Sequence, residues 1–150
     1  MLSLLGMLFW SASPGARILI FMVIGVAYFG GWFDQRLLRH FAERRVGQSI
    51  CHFARDFNCR ITDTLVVRAT YEEMQEYFRF VRPHFPLRSS DNFKTDLRMD
   101  DEDLEDVVYS IAHRSQRSLS HTEKNPLFGK VETMRDLVLF LNAQPLSKQA

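Results

Sequence analysis

The chain has 150 residues, enough for one domain of ordinary size and an appendage. Its 19 Lys and Arg residues nearly balance its 18 Asp and Glu residues, so it lacks the strong basic excess that is typical of nucleic-acid binding proteins. The two cysteines, Cys51 and Cys59, are too few for a disulfide framework or a zinc site, so we expect reduced thiols and no metal.

The first 33 residues are mostly apolar, with one charged residue, Arg17. Residues 1–10 are too short to cross a bilayer, and we expect them to lie in the membrane interface. Residues 18–33 are uncharged and span about 24 Å as a helix, so we expect Leu37 and Leu38 to help them reach the roughly 30 Å of the hydrocarbon layer. The alternative is a buried core helix. The sequence predicts a single-pass membrane anchor that includes Ile18, Leu19, Phe21, Val23, Val26, Tyr28 and Trp32.

Arginines follow this apolar stretch at positions 36, 39, 44 and 45. Because basic residues next to a span stay on the cytoplasmic side, we expect the carboxy-terminal part to be cytoplasmic, at a bacterial inner membrane. Residues 35–57 combine an apolar side with a basic side and predict one juxtamembrane helix, which contacts membrane lipid, pairs with a second copy or forms a solvated stalk. The predicted regions are therefore the anchor (1–33), the basic juxtamembrane helix (34–60) and a helical domain (61–150).

The helical domain is predicted from apolar periodicity and capping residues. Residues 60–69 fit a short strand, a connector or an early helix start. Thr70-Tyr71-Glu72-Glu73 has the form of a capping box and predicts a helix that ends before Pro83. Residues 83–95 then form a loop from which we expect three side chains to enter the core: Phe85, Leu87 and Phe93.

A polar segment and a final helix complete the predicted domain. Ser120-His121-Thr122-Glu123 predicts one short helical turn in the segment 115–130. The histidines and serines of this region have no triad spacing, and we expect no catalytic activity. The last helix is predicted over about 132–142, with four residues facing inward: Met134, Leu137, Val138 and Leu141.

Between these elements lies an acidic, apolar-periodic segment. Leu104, Val107, Val108, Ile111 and Ala112 recur at helical spacing and predict one buried face. Carboxylates at the start of a helix each gain at most about 0.3–1 kcal/mol from its dipole, and neighbouring like charges repel at similar cost. Helix stability therefore does not explain the whole cluster of carboxylates in this segment, and their spacing does not match a calcium loop. The residues of this acidic cluster are Asp100, Asp101, Glu102, Asp103, Glu105 and Asp106.

The string Phe93-x-x-Asp96-Leu97-x-x-Asp100 resembles the segment of acyl carrier proteins that leads into their second helix, Phe-x-x-Asp-Leu-Gly-x-Asp-Ser-Leu. Residues 131–141 are similar to the last helix of that family, so the resemblance covers roughly 70–143. It implies an all-α fold, here a transmembrane helix followed by a small acyl-carrier-like bundle.

In that family the serine carries a phosphopantetheine arm, but here Asp101 occupies its position, Glu102 replaces the leucine and Arg98 replaces the glycine. Ser110 lies well inside the predicted helix, where we expect no exposed attachment point. The resemblance therefore implies a carrier-like scaffold without a cofactor.

Carrier proteins dock partners through acidic residues of the second helix. We therefore expect a non-catalytic, membrane-anchored interaction module that docks a protein with a basic surface through residues 100–106. Two alternatives remain open: a membrane-tethered carrier in lipid or acyl metabolism, and a structural membrane protein that forms homo-oligomers.

Overall fold

The computed structural model describes residues 14–45 and 47–147, and it covers only the backbone of positions 14, 17, 27, 28, 30 and 31. In these residues the regular structure is helical. The α-helices are α1 (Pro14–Glu43), α2 (Ile50–Arg55), α3 (Thr64–Tyr77), α4 (Asp101–Arg114) and α5 (Met134–Asn142), with short 3-10 helices at Phe78–Phe80 and Thr122–Lys124. The chain divides into two compact units between Leu37 and Leu38.

Helix α1 contains the predicted membrane span, residues 18–33. Within the described part of the chain, none of the helices combines the length and the apolar character needed to cross a membrane. The predictions of a transmembrane helix and of a single-pass membrane protein at an inner membrane are therefore wrong. The uncharged residues 18–33 span only about 24 Å of helix against roughly 30 Å of hydrocarbon. Leu38, which we expected to lengthen them, is buried in the core of the second unit.

In the first unit, the large apolar side chains predicted to form the anchor are exposed along α1. They are Ile18, Leu19, Phe21, Val23, Val26 and Trp32. The guanidinium of Arg36 lies 5.3 Å from the centre of the Trp32 ring. The side chain of Tyr28 and the predicted interfacial segment 1–10 lie outside the described residues.

The second unit begins with the end of α1, which is followed by a turn rather than by continued helix. The single helix predicted over 35–57 is divided between α1 and α2. Gly47 lies in this connection with a φ of 95°, a left-handed conformation that glycine adopts at little cost. After the turn, Phe53 and Phe57 point into the core, with their ring centres 5.3 Å apart.

Helix α3 begins six residues before the predicted capping box. The carboxylate of Asp63 accepts a hydrogen bond from the backbone N–H of Leu65 at 2.9 Å, which makes Asp63 the N-cap. The predicted start at Thr70 is therefore wrong, and so is the strand alternative for 60–69. Thr70 is fully buried within the helix. Helix α3 packs against α2, α4 and α5.

The loop after α3 supplies core residues, as predicted. Phe85, Leu87 and Phe93 are each at most 2% exposed, and Phe85 stacks on Phe78 with ring centres 4.3 Å apart. The inward face of α5 is also confirmed, because its four predicted core residues are fully buried. Helix α4 packs against α3.

A buried ion pair joins the end of α1 to this loop. Arg45 donates a hydrogen bond to the carboxylate of Asp91, whose side chain is 1% exposed. The backbone N–H of Arg88 donates to the same carboxylate at 2.8 Å. Burial raises the pKa of Asp91, while Arg45 and the Arg88 N–H act in the opposite direction. The paired arginine is therefore needed to keep a charged carboxylate in this position.

Candidate docking surface on helix α4

Helix α4 has the buried face that its sequence predicts. Val107, Ile111 and Ala112 are buried, whereas Leu104 and Val108 are only half-buried. The carboxylate of Asp100 accepts a hydrogen bond from the backbone N–H of Asp103 at 2.8 Å and caps the helix. Packing and capping together fix which side of α4 faces outward.

Three of the predicted partner-binding carboxylates lie on this outward side. Glu102, Glu105 and Asp106 are exposed, and their carboxylates form no hydrogen bond or ion pair with any residue in 14–45 or 47–147. The dipole of α4 favours negative charge only near its first turn, and the mutual repulsion of these groups offsets part of that gain. Nothing in the described chain neutralises them.

The other three predicted residues have partners inside the molecule. Asp100 is the N-cap. Asp101 lies 3.0 Å from the Lys94 ammonium, but both side chains are largely exposed, which makes the pair weak. Asp103 is half-buried and accepts a hydrogen bond from the Tyr77 hydroxyl at 2.5 Å. Burial, together with this hydrogen bond, raises the pKa of Tyr77. Asp103 therefore serves chiefly to join α4 to α3.

The carboxy-terminal end of α4 has the opposite charge, and there the charge is neutralised internally. Arg114 lies 3.0 Å from a Glu72 oxygen and 2.6 Å from a Glu73 oxygen, both on α3. The hydrogen bond to Glu73 raises the pKa of Arg114. The exposed charge of α4 is thus concentrated in its amino-terminal half.

A cavity of about 920 Å³ lies beside this acidic half. Its inner wall consists of the buried side chains Phe93, Met99, Leu137 and Phe140. Half-buried apolar residues form its sides: Leu104, Val108, Leu119 and Val131. Residues 92–95, α4, part of α5 and the segment 119–132 therefore enclose one apolar space.

The mouth of the cavity is aromatic and acidic. Tyr109 and Phe128 line it with 69% and 54% of their surface exposed. The charged side chains that line it are four carboxylates and one ammonium: Asp100, Asp101, Glu105, Glu132 and Lys94. The cavity therefore combines an apolar interior with a predominantly negative rim.

The serine of the carrier pattern has no counterpart at the start of α4, where Asp101 is paired with Lys94. Ser110 differs from expectation, because it is exposed, although it lies more than two turns into the helix. Ser115 is buried and donates a hydrogen bond to the Ile111 carbonyl at 2.7 Å.

The described residues contain no group of three or more His, Cys, Asp or Glu side chains arranged to hold a metal ion. Cys51 and Cys59 are exposed free thiols. Comparison with protein-family models, curated proteins and solved structures finds no match for this chain. The residues of α4 and their surroundings are therefore the features that point to a function.

Sequence reasoning missed the cavity and its aromatic mouth. Two local signals were available: Tyr109 lies on α4 outside the spacing of its apolar positions, and Phe128 stands beside Leu127 in a segment that is otherwise mostly polar. Exposed aromatic side chains near exposed charges are typical of recognition surfaces. The sequence alone does not show that Tyr109 and Phe128 line the same cavity.

Proposed function

We propose that this chain is a non-catalytic interaction module that docks a partner protein with a basic surface through the acidic half of α4. One observation carries the proposal. Glu102, Glu105 and Asp106 are exposed on a rigid helix and have no counter-charge among the described residues. Their mutual repulsion is relieved when lysine or arginine side chains of a partner approach.

Exposed charges of this kind act mainly on the rate of association and on which partner is bound. Complementary charged surfaces raise association rates above the usual range and disfavour partners of the wrong charge. The charges of α4 suit this role because core packing holds the helix in place, so little ordering is needed on binding.

The resemblance to acyl carrier proteins supports the same proposal. Those proteins dock partners through acidic residues of the second helix, and α4 is the helix at which this chain resembles that segment. With Asp101 at the serine position, we propose that the docking role is retained without an attached group.

The test is crosslinking in cells that make the full chain natively, followed by its purification and quantitative mass spectrometry. The variant Glu102→Lys/Asp106→Lys reverses two charges that neither cap α4 nor line the cavity. We expect it to reduce the yield of the crosslinked partner at least about tenfold, which corresponds to a loss of about 1.4 kcal/mol.

The matched control is Glu43→Lys/Glu76→Lys, which makes the same change in net charge at exposed positions outside α4 and away from the cavity. We expect the control to capture the partner as well as the wild type does. Equal yields from the wild type and the α4 reversal would refute docking through this surface.

A further inference from the structure

The cavity beside α4 suggests what the docked partner presents. We propose that it receives large apolar side chains from a short helical segment of the partner whose flanking residues are lysine or arginine. This inference rests on the proposed docking function and adds to it the chemistry of the segment recognised. The carboxylates of α4 would attract the segment, and the cavity would hold it.

The size and interior of the cavity support an apolar occupant. Its volume of about 920 Å³ lies at the upper end of the roughly 300–1,000 Å³ of ligand sites, so it has room for more than one side chain. The buried rings of Phe93 and Phe140 at its inner wall offer no charge to a ligand. An amphipathic helix supplies apolar side chains three or four positions apart, which suits a groove of this kind.

The rim determines the charge of the occupant. Four carboxylates and one ammonium line the cavity, and that ammonium, on Lys94, is already paired with Asp101. An acidic apolar ligand would meet repulsion at this rim, whereas a segment with flanking basic residues would neutralise it. Tyr109 and Phe128 at the mouth add exposed rings over which arginine or lysine side chains pack favourably.

The experiment measures binding of the full chain to two synthetic peptides by fluorescence anisotropy. Both peptides have sixteen residues and the same lysines, but one has leucines on a single helical face and the other has serines there. We expect the leucine peptide to bind at least about tenfold more tightly, because only its apolar face fills the cavity. Equal affinities for the two peptides would overturn the proposal.

Matched aromatic variants locate the binding. We expect Phe128→Ala, at the mouth, to weaken binding of the leucine peptide about tenfold, and Phe80→Ala to leave it unchanged, since Phe80 is 72% exposed but does not line the cavity. A second variant, Val108→Phe, adds volume inside the cavity and should also weaken binding. Thermal unfolding confirms that each variant is folded. Equal loss from Phe128→Ala and Phe80→Ala would contradict the assignment.

Failure of this inference differs from failure of the docking function. If Glu102→Lys/Asp106→Lys abolishes capture of the cellular partner but Phe128→Ala and Val108→Phe leave both capture and peptide binding unchanged, the acidic surface docks and the cavity proposal is wrong. Native mass spectrometry of the purified chain provides a last check. If a small apolar compound were found in the cavity and displaced the leucine peptide, that compound and not a protein segment would be the occupant. This result would overturn the proposal.

Discussion

Helices α4 and α5 begin alike but use their acidic residues differently. At α5 the carboxylate of Asp136 accepts hydrogen bonds from the backbone N–H of Thr133 at 3.0 Å and from its hydroxyl at 2.7 Å, while the Thr133 hydroxyl accepts from the Asp136 N–H. At α4 one carboxylate, Asp100, caps the helix, whereas the carboxylates of Glu102, Glu105 and Asp106 form no hydrogen bond within the described residues. The comparison separates acidity that the fold uses from acidity that remains available to a partner.

A buried carboxylate provides the strongest test of this distinction. Arg45→Met leaves Asp91 charged and unpaired in the core, and we expect a loss of about 3 kcal/mol in the free energy of unfolding near pH 7. Part of the loss comes from the contact of the Arg45 guanidinium with the Phe41 ring, 3.8 Å from its centre. Urea unfolding measures the effect.

The pH dependence of that loss identifies its cause. Burial already raises the pKa of Asp91 in the folded chain, and removing Arg45 raises it further. Because the folded-state pKa then exceeds the unfolded-state value, protonation stabilises the folded variant as the pH falls through the folded-state pKa. We therefore expect the loss to shrink from about pH 7 to about pH 4.5. If the loss of stability were the same at every pH, packing alone would be its cause. The double variant Arg45→Met/Asp91→Asn, which has no buried charge at position 91, should recover part of the lost stability.

The capping box of α5 should show a smaller effect. Thr133→Ala removes the hydroxyl that accepts from the Asp136 N–H, and we expect it to lower the free energy of unfolding by about 1 kcal/mol. Thr133→Ser retains the hydroxyl and should restore most of the stability. If the alanine and serine variants were equally unstable, the methyl group rather than the cap would be responsible.

The exposed carboxylates of α4 should contribute least to stability. Glu102→Gln/Asp106→Asn removes two unpaired charges, and we expect the free energy of unfolding to change by less than about 0.5 kcal/mol, because lost repulsion and lost dipole interaction nearly cancel. Thermal and urea unfolding check this. A loss as large as that of Thr133→Ala would mean that these residues serve the fold, and the contrast between α4 and α5 would disappear.

Local patterns predicted the parts of the fold that local chemistry determines. The apolar spacing of α4 and α5 and the burial of Phe85, Leu87 and Phe93 follow from side chains that must leave water. The start of α3 was misplaced because Thr70–Glu73 resembles a cap, whereas the side chain that caps the helix belongs to Asp63. Two possible caps in one helical sequence are distinguished only by packing.

Contacts between distant residues gave no local signal. Arg45 and Asp91 are 46 positions apart, and nothing in either neighbourhood indicates the pair. The cavity likewise depends on the approach of the segment 119–132 to α4. The membrane prediction failed for a related reason: Leu38 was counted with the apolar stretch, but it belongs to the core of the second unit. The sequence thus indicated the charged residues of the candidate site but not the cavity beside them.

The most direct test of the central claim is the rate at which the crosslinked partner associates with the purified full chain at increasing salt. We expect the wild-type rate constant to fall steeply with ionic strength, and that of Glu102→Gln/Asp106→Asn to be lower at low salt and to converge with it at high salt. That result would identify the acidic half of α4 as the surface that attracts the partner. Identical rate constants for the two proteins at every salt concentration would contradict the account.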